Sequence, residues 1–287
     1  EIKFSNGIND DVTSGATNAS EGYIKHPAFT FGTDELKGIW VAKYEASKGT
    51  MINTGTVNRP TSTNYVVQSK PGVSSLRSIT ISEMYEYAYN TFRNADSHLM
   101  RNSEWGAIAY LANAIGRIPY ANNNSSCITG IAANEQNSSY SISTDNKWNT
   151  VNGVKASTTH NVYGIYDLSG GAYEYVAAYY SDASLYSSYA ENLYTNRNTK
   201  YVESYESSTY SSAKVGDAVY ETSSNSTTTA SSNHSGDEDY SYMPDYNNPI
   251  FVRGGYYHDG YAGIFDFGQS QGEGDWETSF RVVLSSK

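Results

Sequence analysis

His160-Asn161-Val162-Tyr163-Gly164-Ile165-Tyr166-Asp167-Leu168-Ser169-Gly170-Gly171-Ala172-Tyr173-Glu174-Tyr175-Val176 is the most structured-looking passage of the sequence. Turn glycines stand among aromatic and β-branched residues, the mix expected of a tight core loop running into a strand. Gly170-Gly171 permits positive φ or close backbone approach. Glu174 beside Tyr175 reads as a buried carboxylate that accepts N–H bonds from irregular loops.

Upstream, Gly38-Ile39-Trp40-Val41-Ala42-Lys43-Tyr44-Glu45 alternates with period two and predicts a central strand. Met84, Tyr85, Ala88 and Phe92 recur at helical spacing after Ser82, which is read as the N-cap of a first helix. A second helix is predicted from Asn102-Ser103 to just before Gly116, with Trp105, Ile108 and either Leu111 or Ala112 facing the core. Asn122 to Thr159 is rich in Asn, Ser and Gly without periodicity, which predicts long surface loops. Downstream, residues 179–247 form a Tyr/Ser-rich stretch too poor in aliphatics for a core of its own, read as a surface insert. Ile250-Phe251-Val252-Arg253-Gly254-Gly255 and Ser279-Phe280-Arg281-Val282-Val283-Leu284 read as the last two strands. The class is α+β: two core helices, short twisted strands and long loops.

The 287 residues allow one large domain, which needs no covalent staples. Against 19 Lys+Arg stand 30 Asp+Glu, a net charge of −11 that repels phosphate backbones and anionic lipid, so neither nucleic acid nor membrane contact is expected. Neither a signal peptide nor an anchor is visible from Glu1 onward, and the reading leaves room for either to have been removed. Cys127 is the single cysteine, which excludes an internal disulfide and a CxxC site. Tyr numbers 28 and Gly 24, and only 17% of residues are charged, a bias shared with binding surfaces.

Five pieces in order carry a resemblance: Ile39 to Glu45, Leu99-Met100-Arg101-Asn102-Ser103-Glu104-Trp105, Asn161 to Val176, Phe251 to Gly255, and Phe280 to Leu284. Together the chain resembles the formylglycine-generating-enzyme, or sulfatase-modifying-factor, branch of the C-type-lectin fold. The resemblance implies an N-terminal extension over 1–38 and a C-type-lectin-like domain over 39–287. Glu104, Glu174, Arg253 and Arg281 then read as framework charges that pair with each other or with loop backbone.

The oxidases of that family, as the resemblance implies, use a pair of active-site cysteines near the C-terminal strands, and the sequence has neither. Cys127 lies in an Asn/Ser loop with no His or basic neighbour in sequence and reads as an incidental thiol. His26, His98, His160, His234 and His258 show no HxxxH or HxxE spacing, so no metal ligand is assigned. Phosphate-loop and GxSxG patterns are missing. Gly236-Asp237-Glu238-Asp239 and Gln271-Gly272-Glu273-Gly274-Asp275 do not follow an EF-hand pattern and read as solvated acidic loops. The expectation is a protein that is not an enzyme, with no catalytic residue and no cofactor. A structural calcium elsewhere in the fold stays open.

Residues 256–278, between the last two strands, are the candidate ligand-binding segment. Ile264, Phe265 and Phe267 would anchor it inward. Tyr256, Tyr257, His258, Asp259, Tyr261, Asp266, Gln269, Gln271, Glu273, Asp275, Trp276 and Glu277 are its candidate binding residues, because Tyr and Trp lose little entropy on contact while Asp, Gln and His set orientation. This segment is similar to the variable region of proteins diversified by retroelements, in which Asn codons become Tyr, His, Asp, Ser or Gly. A non-diversified homologue is the alternative, since Trp276, Gln269 and Gln271 are not easily reached from an Asn codon. Relatives with a similar Ser157-Thr158-Thr159 and Gly164 to Ala172 passage look like bacterial pilin-linked surface proteins or phage receptor-binding proteins. The resemblance therefore implies an extracellular adhesin or receptor-binding protein, on a bacterial cell surface, a pilus or a phage virion, with a protein or glycan receptor. A structural pilus or fibre subunit that self-assembles is the second reading, and a formylglycine-generating-type oxidase ranks last.

Overall fold

A computed structural model describes residues 2–3, 23–24, 26–51, 65–136, 146–181, 188–195, 200–209, 212–219, 233–234, 239–259 and 263–286. The principal elements are β1 (Gly38–Val41), β2 (Ala46–Met51), β3 (Tyr65–Ser69), α1 (Ile81–Thr91), β4 (His98–Leu99), α2 (Asn102–Ala114), β5 (Tyr173–Tyr180), α3 (Glu191–Thr195), β6 (Glu203–Tyr205), β7 (Tyr240–Ser241), β8 (Ile250–Arg253), β9 (Phe267–Ser270), β10 (Thr278–Phe280) and β11 (Val282–Ser286). The class is α+β, and among the described residues no helix is long and apolar enough to cross a membrane.

The largest sheet grows around β5. Strand β8 lies antiparallel to β5 with Tyr175 opposite Val252, β10 lies parallel with Tyr173 opposite Thr278, and β6 joins parallel with Ala178 opposite Glu203. Beyond β8 come β9, antiparallel, and then β7, parallel.

Strand alternation sorts side chains between two cores. Tyr175, Ala177 and Tyr179 of β5, with Ile250 and Val252 of β8, enter a cluster that holds Ile81, Met84, Tyr85 and Ala88 of α1. Val176 and Ala178, with Phe251, enter a second cluster with Trp105, Ile108, Ala109 and Ala112 of α2. Both faces of the sheet are thus buried. Each fully buried Val, Leu, Ile or Phe side chain stabilises the fold by about 1.5–3 kcal/mol.

A second sheet has the order β1-β11-β4, with Val283 opposite both Val41 and His98. The strand predicted as central at Ile39 is therefore an edge strand, and Trp40 is 69% exposed. Its apolar alternation marks one buried face and says nothing about which edge is paired.

The N-cap of α1 is Thr80 rather than Ser82. The Thr80 side chain accepts from the Glu83 amide while the Glu83 carboxylate accepts from the Thr80 amide, a reciprocal capping box. Helix α2 runs to Ala114, with Ala112 buried and Leu111 64% exposed.

The stretch from Asn122 to Thr159 is not surface loop throughout. Asn122, Cys127, Ile131 and Ala156 are buried, and Ile131–Ala132 pairs with Asn146–Lys147. Asparagine side chains replace regular pairing there: Asn122 Nδ2 donates to Ile128 O at 2.8 Å, and Asn124 Oδ1 accepts from Ser126 N at 3.0 Å. The 179–247 stretch is likewise woven into the body where it is described. Leu193 and Tyr194 of α3 join the α1 core, while Tyr205, Ala218 and Val219 join the α2 core. The N-terminal stretch packs Ala28, Phe31 and Leu36 inward.

Candidate ligand-binding surface

The framework charges set the ground on which the surface stands. Arg281 Nε donates to Glu174 Oε2 at 3.1 Å, Nη2 donates to Glu174 Oε1 and to Tyr166 O, and Nη1 donates to Ala42 O at 2.8 Å, so one buried guanidinium ties three chain segments together. Glu45 and Asp167 share the same interior. Glu45 Oε1 accepts from Ala172 N at 2.9 Å, and Asp167 Oδ1 accepts from Asn122 Nδ2 and Gly130 N, both at 2.9 Å. Burial first, then neighbouring carboxylates, pushes Glu45 well up, while burial raises Asp167 to about 6 against the opposing pull of Arg281. Glu104 goes the other way: burial would raise it, but Arg101 and His98 beside it bring it to about 2.

Gly170 and Gly171 connect this interior to the surface. Both adopt positive φ, and a Cβ on Gly170 would stand 2.6 Å from Asn122 O, while one on Gly171 would collide with Glu45 Oε1. Gly170 N–H donates to Gly254 O at 2.8 Å, and Tyr257 N–H donates to Gly171 O at 2.9 Å, which clamps the start of the candidate segment.

Beneath the segment, Ile264, Phe265 and Phe267 are buried, and Trp105 Nε1 donates to Ile264 O at 2.6 Å. Phe265 N–H donates to Asp239 Oδ2 at 3.0 Å, so Asp239, at the end of the acidic run read as solvated, is a buried structural acceptor. Residues 236–238 of that run lie outside the described residues.

Asp266 is a correction to the sequence reading: it is 0% exposed and cannot contact a ligand. A turn in which Asp266 N–H donates to Gly263 O interrupts the alternation, so residues 263 to 267 are consecutively buried. Burial, then Asp259 and Asp239, pushes the Asp266 carboxyl well up, which favours its neutral form.

The remaining candidates form two adjoining zones. The first is aromatic. Tyr173 stacks on Tyr256 at 5.3 Å between ring centroids, Tyr256 meets Tyr257 edge-on at 5.4 Å, and Tyr257 reaches Trp276 at 6.2 Å. His258 adjoins both Tyr256 and Tyr257, and Asp259 Oδ2 accepts from the Tyr173 hydroxyl at 3.0 Å. Trp276 is 51% exposed, while its carbonyl accepts from Arg77 Nη1 at 2.7 Å.

The second zone is an open cleft of ≈ 520 Å³, within the range of small-ligand sites. Gln269, Glu273, Asp275 and Glu277 line it together with Tyr173, Tyr240, Tyr242 and Asn248. The loop after β9 is fixed to the start of α1, because Ile81 N–H donates to Gly272 O at 3.0 Å and Ser78 N–H to Asp275 O at 2.8 Å. Tyr175, buried in the sheet, donates its hydroxyl to Glu273 O at 3.0 Å.

Gln271 is exposed and does not line the cleft, and Tyr261 lies outside the described residues. Sequence reasoning missed Tyr173, Tyr240, Tyr242 and Asn248. The spacing of Tyr240 and Tyr242 by two was the available signal, since it puts both on one face of an extended segment.

The chemistry available is recognition by rings, carboxylates and amides. Burial first, and Glu45 next, pushes the Cys127 thiol up to about 12, although Arg77 Nη1 lies 3.3 Å from the sulfur; the thiol donates to Gly171 O. Among the described residues no three His, Cys, Asp or Glu side chains are grouped as a metal site would be. No protein-family model matches the chain, and no curated protein matches it either.

Proposed function

We propose that this chain is a non-catalytic ligand-binding protein of C-type-lectin fold, of the sulfatase-modifying-factor type, displayed outside the cell as an adhesin or receptor-binding protein. The observation that carries the reading is a run of aromatic rings, Tyr173 to Trp276, beside an open cleft, both on segments clamped to a doubly covered sheet. Aromatic anchors on a rigid frame are the usual make-up of a binding hot spot.

The fold assignment draws support from convergence of the resembling pieces. The first and last pair as strands through Val41 and Val283, Glu174 of the third joins Arg281 of the fifth, and Trp105 of the second lies under Arg253 of the fourth at 5.5 Å. The protonated, buried state of Cys127 speaks against a nucleophile.

The test is binding of the labelled chain to intact bacterial and animal cells, read by flow cytometry. Tyr256→Ala/Tyr257→Ala/Trp276→Ala is expected to lower binding at least ten-fold with a melting temperature within about 4 °C of the parent. Unchanged binding refutes the surface. A stable oligomer with these tyrosines protected would favour the fibre-subunit reading instead.

A further inference from the structure

The loop after β9 brings three carboxylates, Glu273, Asp275 and Glu277, into one cleft. Among the described residues no lysine or arginine nitrogen lies within ion-pair distance of any of them. Arg77, which approaches through the carbonyl of Trp276, has its guanidinium committed to that oxygen, to Ser126 O and to the Cys127 sulfur. His258 is the basic group facing Glu277, and Asp275 faces it as a like charge.

Gln269 also lines the cleft. Its Oε1 is closed off from solvent and has no hydrogen-bond partner among the described residues. An acceptor without a donor among the described residues stands beside three carboxylates: Glu273 Oε2 accepts from Ser270 Oγ at 3.0 Å, Asp275 Oδ1 accepts from Glu277 N at 3.3 Å, and His258 is the one basic group near them.

Tyrosine rings supply the walls. Tyr240 and Tyr242 are parallel to within 2° with centroids 6.2 Å apart, and Tyr173 joins them. Ring faces attract cations, the more so when part of the hydration is removed.

We propose that this cleft receives a positively charged side chain, arginine or lysine, from a protein partner. The inference rests on the binding reading above and names the ligand class for it. Guanidinium and ammonium groups are donors only, which matches a lining rich in acceptors. Sugar hydroxyls donate and accept alike, so a neutral glycan would leave its own acceptors unmatched against carboxylates. The net charge of −11 would steer a basic partner toward the molecule at low salt.

The probe is an acetylated, amidated octapeptide of alternating arginine and serine, with a lysine-serine version beside it, titrated calorimetrically. Binding by either peptide is expected to weaken at least ten-fold in Glu273→Gln/Asp275→Asn/Glu277→Gln. It should stay within two-fold in Asp34→Asn/Glu135→Gln/Glu206→Gln, which removes equal charge from exposed positions outside the cleft. If the cleft triple does not fold, Glu273→Gln and Asp275→Asn singly must each weaken binding at least three-fold. Equal weakening by both triples would reduce the effect to bulk charge and overturn the proposal, as would failure of both peptides to bind. If instead a panel of neutral oligosaccharides binds, and binding is lost in Tyr256→Ala/Tyr257→Ala/Trp276→Ala, the cationic ligand falls while the binding surface stands. Binding that is insensitive both to that aromatic triple and to the cleft triple removes both.

Discussion

Glu45, Asp167 and Glu174 are buried beside Arg281, an arrangement in which the folded protein holds protons that the unfolded chain would release. Their raised pKa values give a signed consequence. Carboxyls titrate near 4 when unfolded, so the stability they contribute is complete below that pH and is lost as pH rises, through about 6 for Asp167, with Glu45 shifted in the same direction by burial and its carboxylate neighbours. Glu104, held at about 2, contributes in the opposite sense, and its stabilisation disappears as pH falls from about 4 toward 2. Glu45→Gln removes one of the groups whose pKa is raised on folding and is expected to flatten the decline in melting temperature as pH rises above about 4. An unaltered decline in calorimetric scans would show that Glu45 does not hold a proton. Cys127 offers a second check. A thiol raised to about 12 should react with iodoacetamide at pH 8 about three orders of magnitude more slowly than an exposed thiol, until denaturant is added. At this scale the sequence was partly legible. Glu104 and Glu174 stood out because each stands beside a large ring, Trp105 and Tyr175, whereas Glu45 acquires its meaning only from Ala172, and Asp167 from Asn122 and Gly130, which are distant in the chain.

Strands and helices were easier to recognise than their surroundings. Helix α1 follows from apolar spacing, but its start was placed at Ser82 although Thr80-Ile81-Ser82-Glu83 carries the reciprocal cap. Thr80→Ala should cost about 1 kcal/mol, and the melting temperature should drop by roughly 2–4 °C. Because Gly272 and Asp275 hang from Ile81 and Ser78, the same variant should also raise amide exchange at residues 272–275. Exchange confined to α1 would mean that the cap does not support the cleft. The edge position of β1 was hidden for a different reason. Alternation in Ile39 and Val41 reports which face is buried, while strand order depends on β11, encoded more than two hundred residues later. The Asn-rich stretch misled for a third reason, since polar composition normally signals solvent and here supplies the hydrogen bonds of a buried, irregular backbone.

Across the described residues, one sheet lies between two cores, and the proposed binding surface lies beside it. Tyr256, Tyr257 and Trp276 of the aromatic zone were named from the sequence, but Tyr173, which stacks on Tyr256, was not. The tyrosine wall contributed by β7 could not be read there, because it sits in a stretch whose composition resembles a solvated insert. Val283 tests the integrity of the whole. It is fully buried in the middle strand of the small sheet, and Val283→Asp should abolish the cooperative thermal transition followed by circular dichroism, since an unpaired charge there disrupts β1, β4 and the α2 core together. Strands β1 and β4 both pair with β11, which lies between them in the sheet. A ribosome therefore releases the two outer members long before it makes the one that joins them, and the small sheet cannot close during translation until residue 286 has emerged. Assembly of this body is expected to be a late, slow event of high contact order, with the small sheet still open until β11 has been made.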